Sequence, residues 1–349
     1  MPNKLSVIQS VFRTAVLTAV ATTMLLTVPG AATAKELRFV HAYPVASQHH
    51  RNVEWFTSEV TKRTNGEVTF RIFPSAQIMP INQELPGILA GQVSMTYSVA
   101  PIAGSVEPLW GIFDLPFLFD VKVDNVSHGR RFFESEKGGG ILKKAMEARG
   151  FKLISIAPTD HPSGIYLTSA DAVEKLEDLK GLKIRIPGGH IGQIAGKAFG
   201  FSPIAISGAE LVTALTQGTV DGANVPPIYT HDNKLPFKSM TVAPYSWPGV
   251  TPIIMSLAEY NSLTNEQKKT LLNVGAELEK RALNIIEATG QDKIESLKAA
   301  GMKVVTLSPE ETARWVERGQ SIWEIFAREN GPDARIMLEE AKRLRNVSN

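Results

Sequence analysis

The sequence predicts an α/β protein of two lobes with a cleft between them, and three observations carry that prediction. Strand and helix patterns alternate from Leu37 to Ser98 in the order β-α-β-α-β, which requires parallel strands joined by crossover helices. A second strand-then-helix unit opens at Lys183. From Pro226 to Pro252, six prolines and Gly249 interrupt any regular period, as expected of extended chain threading back between lobes. With 349 residues, 43% of them hydrophobic, the chain can bury two cores.

Ahead of these units lies a leader. Lys4 and Arg13 precede an uncharged, mostly apolar run from Ala15 to Val28, followed by Pro29, Gly30 and Ala32-Thr33-Ala34. That order describes a secretory signal peptide cleaved after Ala34. Its apolar run of 14 residues falls short of the roughly 20 needed to span a bilayer. Lys4 and Arg13 are also the leader's only charges. Removing it takes the formal net charge from +2 to zero, leaving 35 basic against 35 acidic residues. A neutral mature chain has no general pull toward nucleic acid or anionic lipid. Without cysteine there are no disulfides, thiolate nucleophiles or cysteine metal ligands. The mature chain is expected to be exported and to make no stable membrane insertion.

The elements follow in order. Leu37 to His41 reads as a strand, His49 to Arg63 as a helix with Val53, Phe56 and Val60 on one face, and Thr64-Asn65-Gly66 as a turn. Val68 to Phe73 alternates as a strand, Gln83 to Ala90 as a helix, and Val93 to Ser98 as a strand. The apolar stretch Leu109 to Phe119, with Pro116 inside it, reads as buried connection. One helix is expected from Phe132 to Arg149 and a strand from Lys152 to Ile156. In the second unit, Lys183 to Ile186 is a strand and His190 to Ala198 a helix. Leu211 to Gln217 is a further helix, and Thr219 to Asn224 a strand or turn. Thr264 and Gln267 form a capping box opening a long helix toward Ala299. Met302 to Val305 is the last strand, and Ser308-Pro309 starts another helix, with Pro309 where its missing N–H costs nothing.

Most chemical signatures are absent. Gly188 and Gly189 in KIRIPGGHIGQIAG have the wrong spacing for a dinucleotide fingerprint. The seven histidines, His41, His49, His50, His128, His161, His190 and His231, make no metal-ligand pattern with a carboxylate. No nucleophile elbow or phosphate-binding loop occurs, so neither catalysis nor a cofactor is expected. Arg185 stands apart. It occupies the end of a strand just before Pro187-Gly188-Gly189, the place where open α/β sheets hold ligands.

Several segments, in order, resemble the extracytoplasmic solute-binding subunits of tripartite ATP-independent periplasmic (TRAP) transporters, of the dicarboxylate-binding type. They are VTKRTNGEVTFRIFPSAQI, GQVSMTY, FDLPFLF, LEDLKGLKIRIPGG, SPIAISGAELVTALTQGTVDGANVPP and LTNEQKKTLL, spread from Leu37 to beyond Gly301. The resemblance implies a two-lobed periplasmic binding protein that closes on its ligand, with a long helix spanning both lobes. It also implies that the protein delivers a small organic acid to TRAP membrane permease subunits. A signalling partner or an exported enzyme acting on an acidic substrate is the alternative. On this reading lobe I comprises residues 35–160 and about 250–290, and lobe II residues 161–249 and about 291–349.

By the motif of that family, Arg185 pairs with the ligand carboxylate. Where the family often has a second arginine this chain has Tyr166, and Asn224 and Val225 replace a glutamate and an asparagine. Val99 stands where a polar residue is common, and Gly208 where an aromatic can line the pocket. Each exchange removes charge, polarity or bulk. The resemblance therefore implies a monocarboxylate with an apolar or aromatic body rather than sialic acid or a C4-dicarboxylate. Tyr43, Tyr166, Asn224 and Trp247 are expected to orient it.

Overall fold

The computed structural model describes residues 34–119, 126–158, 160, 163–242 and 250–345. The leader therefore lies outside the described residues, as do His161 and Trp247.

The chain enters through β1 (Lys35–Val40), α1 (Gln48–Arg63), β2 (Val68–Phe73), α2 (Ile81–Leu89) and β3 (Met95–Tyr97). β1 pairs in parallel with both β2 and β3, as the β-α-β-α-β order requires. Alternation drives the burial: Leu37 and Phe39 of β1 meet Val53, Phe56 and Val60 of α1, all fully buried. Then come α3 (Ala100–Ala103) and a 3-10 turn over Pro108–Asp114. The expected buried connection is thus partly ordered into a turn, with Leu109 to Phe113 inside the core.

The helix expected from Phe132 to Arg149 is two helices, α4 (Val126–Glu134) and α5 (Ile141–Ala148), joined by a wide turn at Glu136–Gly140. Close packing explains the break. A Cβ on Gly139 would lie 1.9 Å from the Phe133 carbonyl oxygen, and the Ser135 hydroxyl accepts a hydrogen bond from the Gly138 amide instead.

β4 (Phe151–Pro158) ends the first run, and the chain crosses to β5 (Gly164–Leu167), β6 (Lys183–Ile186), α6 (His190–Phe199) and β7 (Ser202–Ala205). It continues through α7 (Leu211–Thr216), β8 (Gly222–Val225), α8 (Pro227–Asp232) and β9 (Ser239–Val242) before returning as β10 (Val250–Ser256). α9 (Leu257–Asn261), α10 (Asn265–Ala299), β11 (Lys303–Thr306), α11 (Pro309–Glu329) and α12 (Gly331–Arg345) complete it.

Two sheets result. The first has the order β2-β1-β3-β10-β4 and the second β11-β9-β5-β8-β6-β7. β10 runs antiparallel to both β3 and β4. The proline-rich segment is therefore more regular than expected, contributing α8 and parts of both sheets. Pro226 and Pro227 start α8 rather than prevent it, because Asp160 accepts hydrogen bonds from the Ile228 and Tyr229 amides at 2.9 and 2.6 Å.

The fold is the two-lobed α/β architecture, with α10 packing on β4 and α1 at one side and α8 at the other. Its capping box is present, Thr264 accepting from the Gln267 amide and Gln267 from the Thr264 amide. α11 rests on α6, while α12 packs against α4 and the Glu136–Gly140 turn. Among the described residues no helix is long and apolar enough to cross a membrane.

Candidate functional site: a cavity at the strand ends of both sheets

β1 and β3 of the first sheet, and β6, β7 and β8 of the second, direct their carboxyl ends at one cavity of about 150 Å³. From the first sheet come Tyr43, just beyond β1, and Val99-Ala100-Pro101, just beyond β3. The second sheet supplies Arg185 and Ile186 from β6, Ser207-Gly208 after β7, and Asn224-Val225-Pro226 around the end of β8. Phe113 and Asp114 of the 3-10 turn and Tyr229 of α8 complete the lining used below.

Arg185 is 6% exposed. Its neighbours Ile184 and Ile186 belong to the core, and strand alternation sends the guanidinium to the other face. There its Nε donates to the Ile206 carbonyl oxygen at 2.8 Å. Among the described residues no carboxylate forms an ion pair with it. Burial lowers its pKa to about 10, against the opposing pull of Tyr229 and Tyr43. The side chain still carries its charge at neutral pH, with donors to spare.

An aromatic wall stands beside it. Tyr43 stacks on His49 with ring centroids 4.0 Å apart, and His49 meets Tyr229 edge-on at 5.9 Å. Burial drives the His49 and His41 pKa values down to about 3, helped by neighbouring positive charge, so both imidazoles are neutral plates rather than cations. The Tyr43 hydroxyl donates to the Ser98 carbonyl at 3.2 Å.

Of the residues expected from sequence, Tyr43, Arg185 and Asn224 come together on the cavity wall. Asn224 is 8% exposed, and its amide donates to the Gly164 carbonyl at 3.3 Å, which fixes its orientation. Tyr166 does not join them. It is fully buried in the core, paired across the sheet with Ala223 and Met240, its ring 5.2 Å from Phe237. Both faces of β5 are covered, and alternation puts Tyr166 with Phe237 and Met240 while Ile165 and Leu167 join the other core cluster.

Tyr229 was missed because it lies in a segment read as extended. Its hydroxyl approaches the Gly208 carbonyl at 3.4 Å, and a Cβ on Gly208 would sit 2.7 Å from that hydroxyl. The room expected at Gly208 is thus partly filled by Tyr229. Asp114 was missed too, because it sits in the middle of the aromatic stretch Leu109 to Phe119, which read as buried connection; the structure leaves it half-buried. Burial alone raises its pKa to about 8.

This arrangement can hold a small anion in a largely apolar hollow. Comparison with known proteins gives the same class. The model of the bacterial extracellular solute-binding protein family 7 matches residues 39–330. The chain belongs to that family.

Family 7 proteins are the periplasmic solute-binding components of TRAP transport systems, and the relatives fit. The chain is 26% identical over 277 residues to the 2,3-diketo-L-gulonate-binding periplasmic protein of Escherichia coli, covering 78% of this chain and 81% of the relative. It is also 26% identical to the C4-dicarboxylate-binding periplasmic protein of Rhodobacter capsulatus, over 86% of this chain and 88% of the other. A TRAP periplasmic solute-binding protein from Desulfovibrio salexigens, solved with bound orotic acid, superposes with a TM-score of 0.81 at 26% identity. That match covers 88% of this chain and 99% of the other.

Proposed function

We propose that this family 7 protein captures a small organic acid, anchors its carboxylate on Arg185, and hands it to the membrane permease. The observation that carries this reading is one buried guanidinium, bonded to a single carbonyl and to no carboxylate among the described residues, facing a cavity built from both sheets. A planar guanidinium offers two parallel donors that match a carboxylate. The molecules named for the three relatives are acids, so the shared group is the one Arg185 would recognise.

Around that anchor the wall is Tyr43, Val99, Phe113, Val225 and Tyr229, which favours a monocarboxylate with an apolar or aromatic body. Asn224 orients it. Ligand stabilises the closed form, since only there do Arg185 and Tyr43 touch one molecule.

Titration calorimetry with succinate, sialic acid, phenylpyruvate and 4-methyl-2-oxopentanoate tests this reading. The two 2-oxo acids should bind most tightly, and Arg185→Ala should weaken them about 30-fold to several thousand-fold, corresponding to about 2–5 kcal/mol. Selective tight binding of succinate or sialic acid overturns the ligand class. Unchanged affinity in Arg185→Ala overturns the anchor.

A further inference from the structure

Arg185 and Asp114 are the only charged residues among those described on the cavity wall, and they come from different parts of the fold. Arg185 ends β6, whereas Asp114 closes the 3-10 turn after α3. Arg185 turns to the Ile206 carbonyl, whereas the Asp114 carboxyl lies beside Gly189, so the two groups enter the cavity from different parts of its wall.

We propose that Asp114 is a second specificity-determining residue of this cavity, selecting organic monocarboxylates that carry a hydroxyl or N–H donor away from the carboxylate. The inference rests on the carboxylate anchoring proposed above. Asp114 has no hydrogen-bond or ion-pair partner among the described residues. Its Oδ2 lies over Gly189, 3.4 Å from where a Cβ on that residue would stand. Gly189 has φ +86°, so the turn after β6 presents bare backbone there and leaves the carboxyl group uncovered.

Asp114 is half-buried, so a ligand filling the cavity would cut its carboxyl group off from solvent, and a ligand that brings a donor offsets that cost. Protonated or ionised, a carboxyl group keeps an oxygen that accepts a hydrogen bond. An O–H or N–H on the ligand thus fits either state, whereas a second ligand carboxylate is accommodated only while Asp114 holds its proton. Asp114 also borders a neighbouring hollow lined by Gly189, His190 and Glu329. The experiment must therefore show that the carboxyl group serves the ligand side.

The probes are matched acids: phenylacetate with 4-hydroxyphenylacetate, and hexanoate with 6-hydroxyhexanoate, titrated into the full exported chain. The hydroxylated member of each pair should bind at least tenfold more tightly, and Asp114→Ala should shrink the gap to under threefold. 4-Fluorophenylacetate keeps the size but loses the donor, and should bind like phenylacetate. That comparison needs only the wild-type protein, should Asp114→Ala fail to fold. Equal binding within the pairs, or 4-fluorophenylacetate binding as tightly as 4-hydroxyphenylacetate, overturns the role of Asp114 and leaves the carboxylate anchor standing. A gap that persists in Asp114→Ala places its carboxyl group on the neighbouring hollow and also overturns the role. If no monocarboxylate binds while succinate does, the underlying reading falls and this inference with it.

Discussion

Arg63 and Arg185 mark two regions that treat the same side chain in opposite ways. Arg63, at the end of α1, makes four hydrogen bonds to the carboxylates of Glu59 and Glu277 at 2.6 to 3.1 Å. Its side chain is 36% exposed. Arg185 lies deep in the wall of the cavity and has one carbonyl. On the outer surface the guanidinium is fully compensated but screened by water, so its bonds contribute little. In the cavity it is poorly compensated and little screened, which is the property the proposed anchoring uses. Binding capacity comes from the bonds left unmade.

The largest expected effect breaks this contrast at its source. Arg185→Met should abolish the binding measured by calorimetry, yet leave the melting temperature of the ligand-free protein unchanged or higher, because it removes an uncompensated buried charge. A lowered melting temperature would show that Arg185 is part of the scaffold instead.

A second test concerns a buried acid that meets no anion. Glu84 is fully buried in α2 and accepts from the Thr96 hydroxyl at 2.5 Å, while its Oε1 has no partner. Burial raises its pKa to about 8 from 4.5. The folded state therefore holds a proton that the unfolded state has released. Its contribution is full below pH 4.5 and is lost as pH rises through 8. Glu84→Gln should reduce the loss of stability between pH 5 and pH 9 by about 1–3 kcal/mol, read from urea unfolding at both values. An equal loss in wild type and variant would rule this out.

Smaller still is the effect at the cavity rim. Gly208→Ala forces Tyr229 to shift and should weaken binding of the preferred acid about tenfold, with overpacking costing about 1–3 kcal/mol. Adding Tyr229→Phe, which removes the obstructing hydroxyl, should restore most of it, giving a measurable coupling in a double-mutant cycle. Smallest of all, Arg63→Ala should cost under about 1 kcal/mol of stability in a denaturant melt and leave ligand affinity alone.

How much of this was legible in the sequence depended on the distance over which each signal acts. The capping box at Thr264 and the proline start at Pro309 are written within four residues, and both read correctly. The alternation of β6 put Arg185 on the opposite face from Ile184 and Ile186 without any tertiary information. The break at Gly138 and Gly139 was hidden, because only the Phe132 and Phe133 backbone positions show that no Cβ fits. α8 was hidden more deeply, since the carboxylate capping its first amides belongs to Asp160, 68 and 69 residues away. With α8 went Tyr229. Tyr166 shows the reverse: its place in a family motif pointed to the pocket, but in β5 it lies fully buried against Phe237 and Met240.

The position of β10 has a consequence for how the chain is made. It lies between β3 and β4, yet is separated from β4 by the whole run from β5 to β9. Until residue 256 has been delivered, the earlier half of the first sheet ends at β3 with a row of unpaired amides and carbonyls, and β4 has nowhere to dock. A nascent chain halted before that point is an open template, and closing it waits on contacts far apart in sequence, which form slowly.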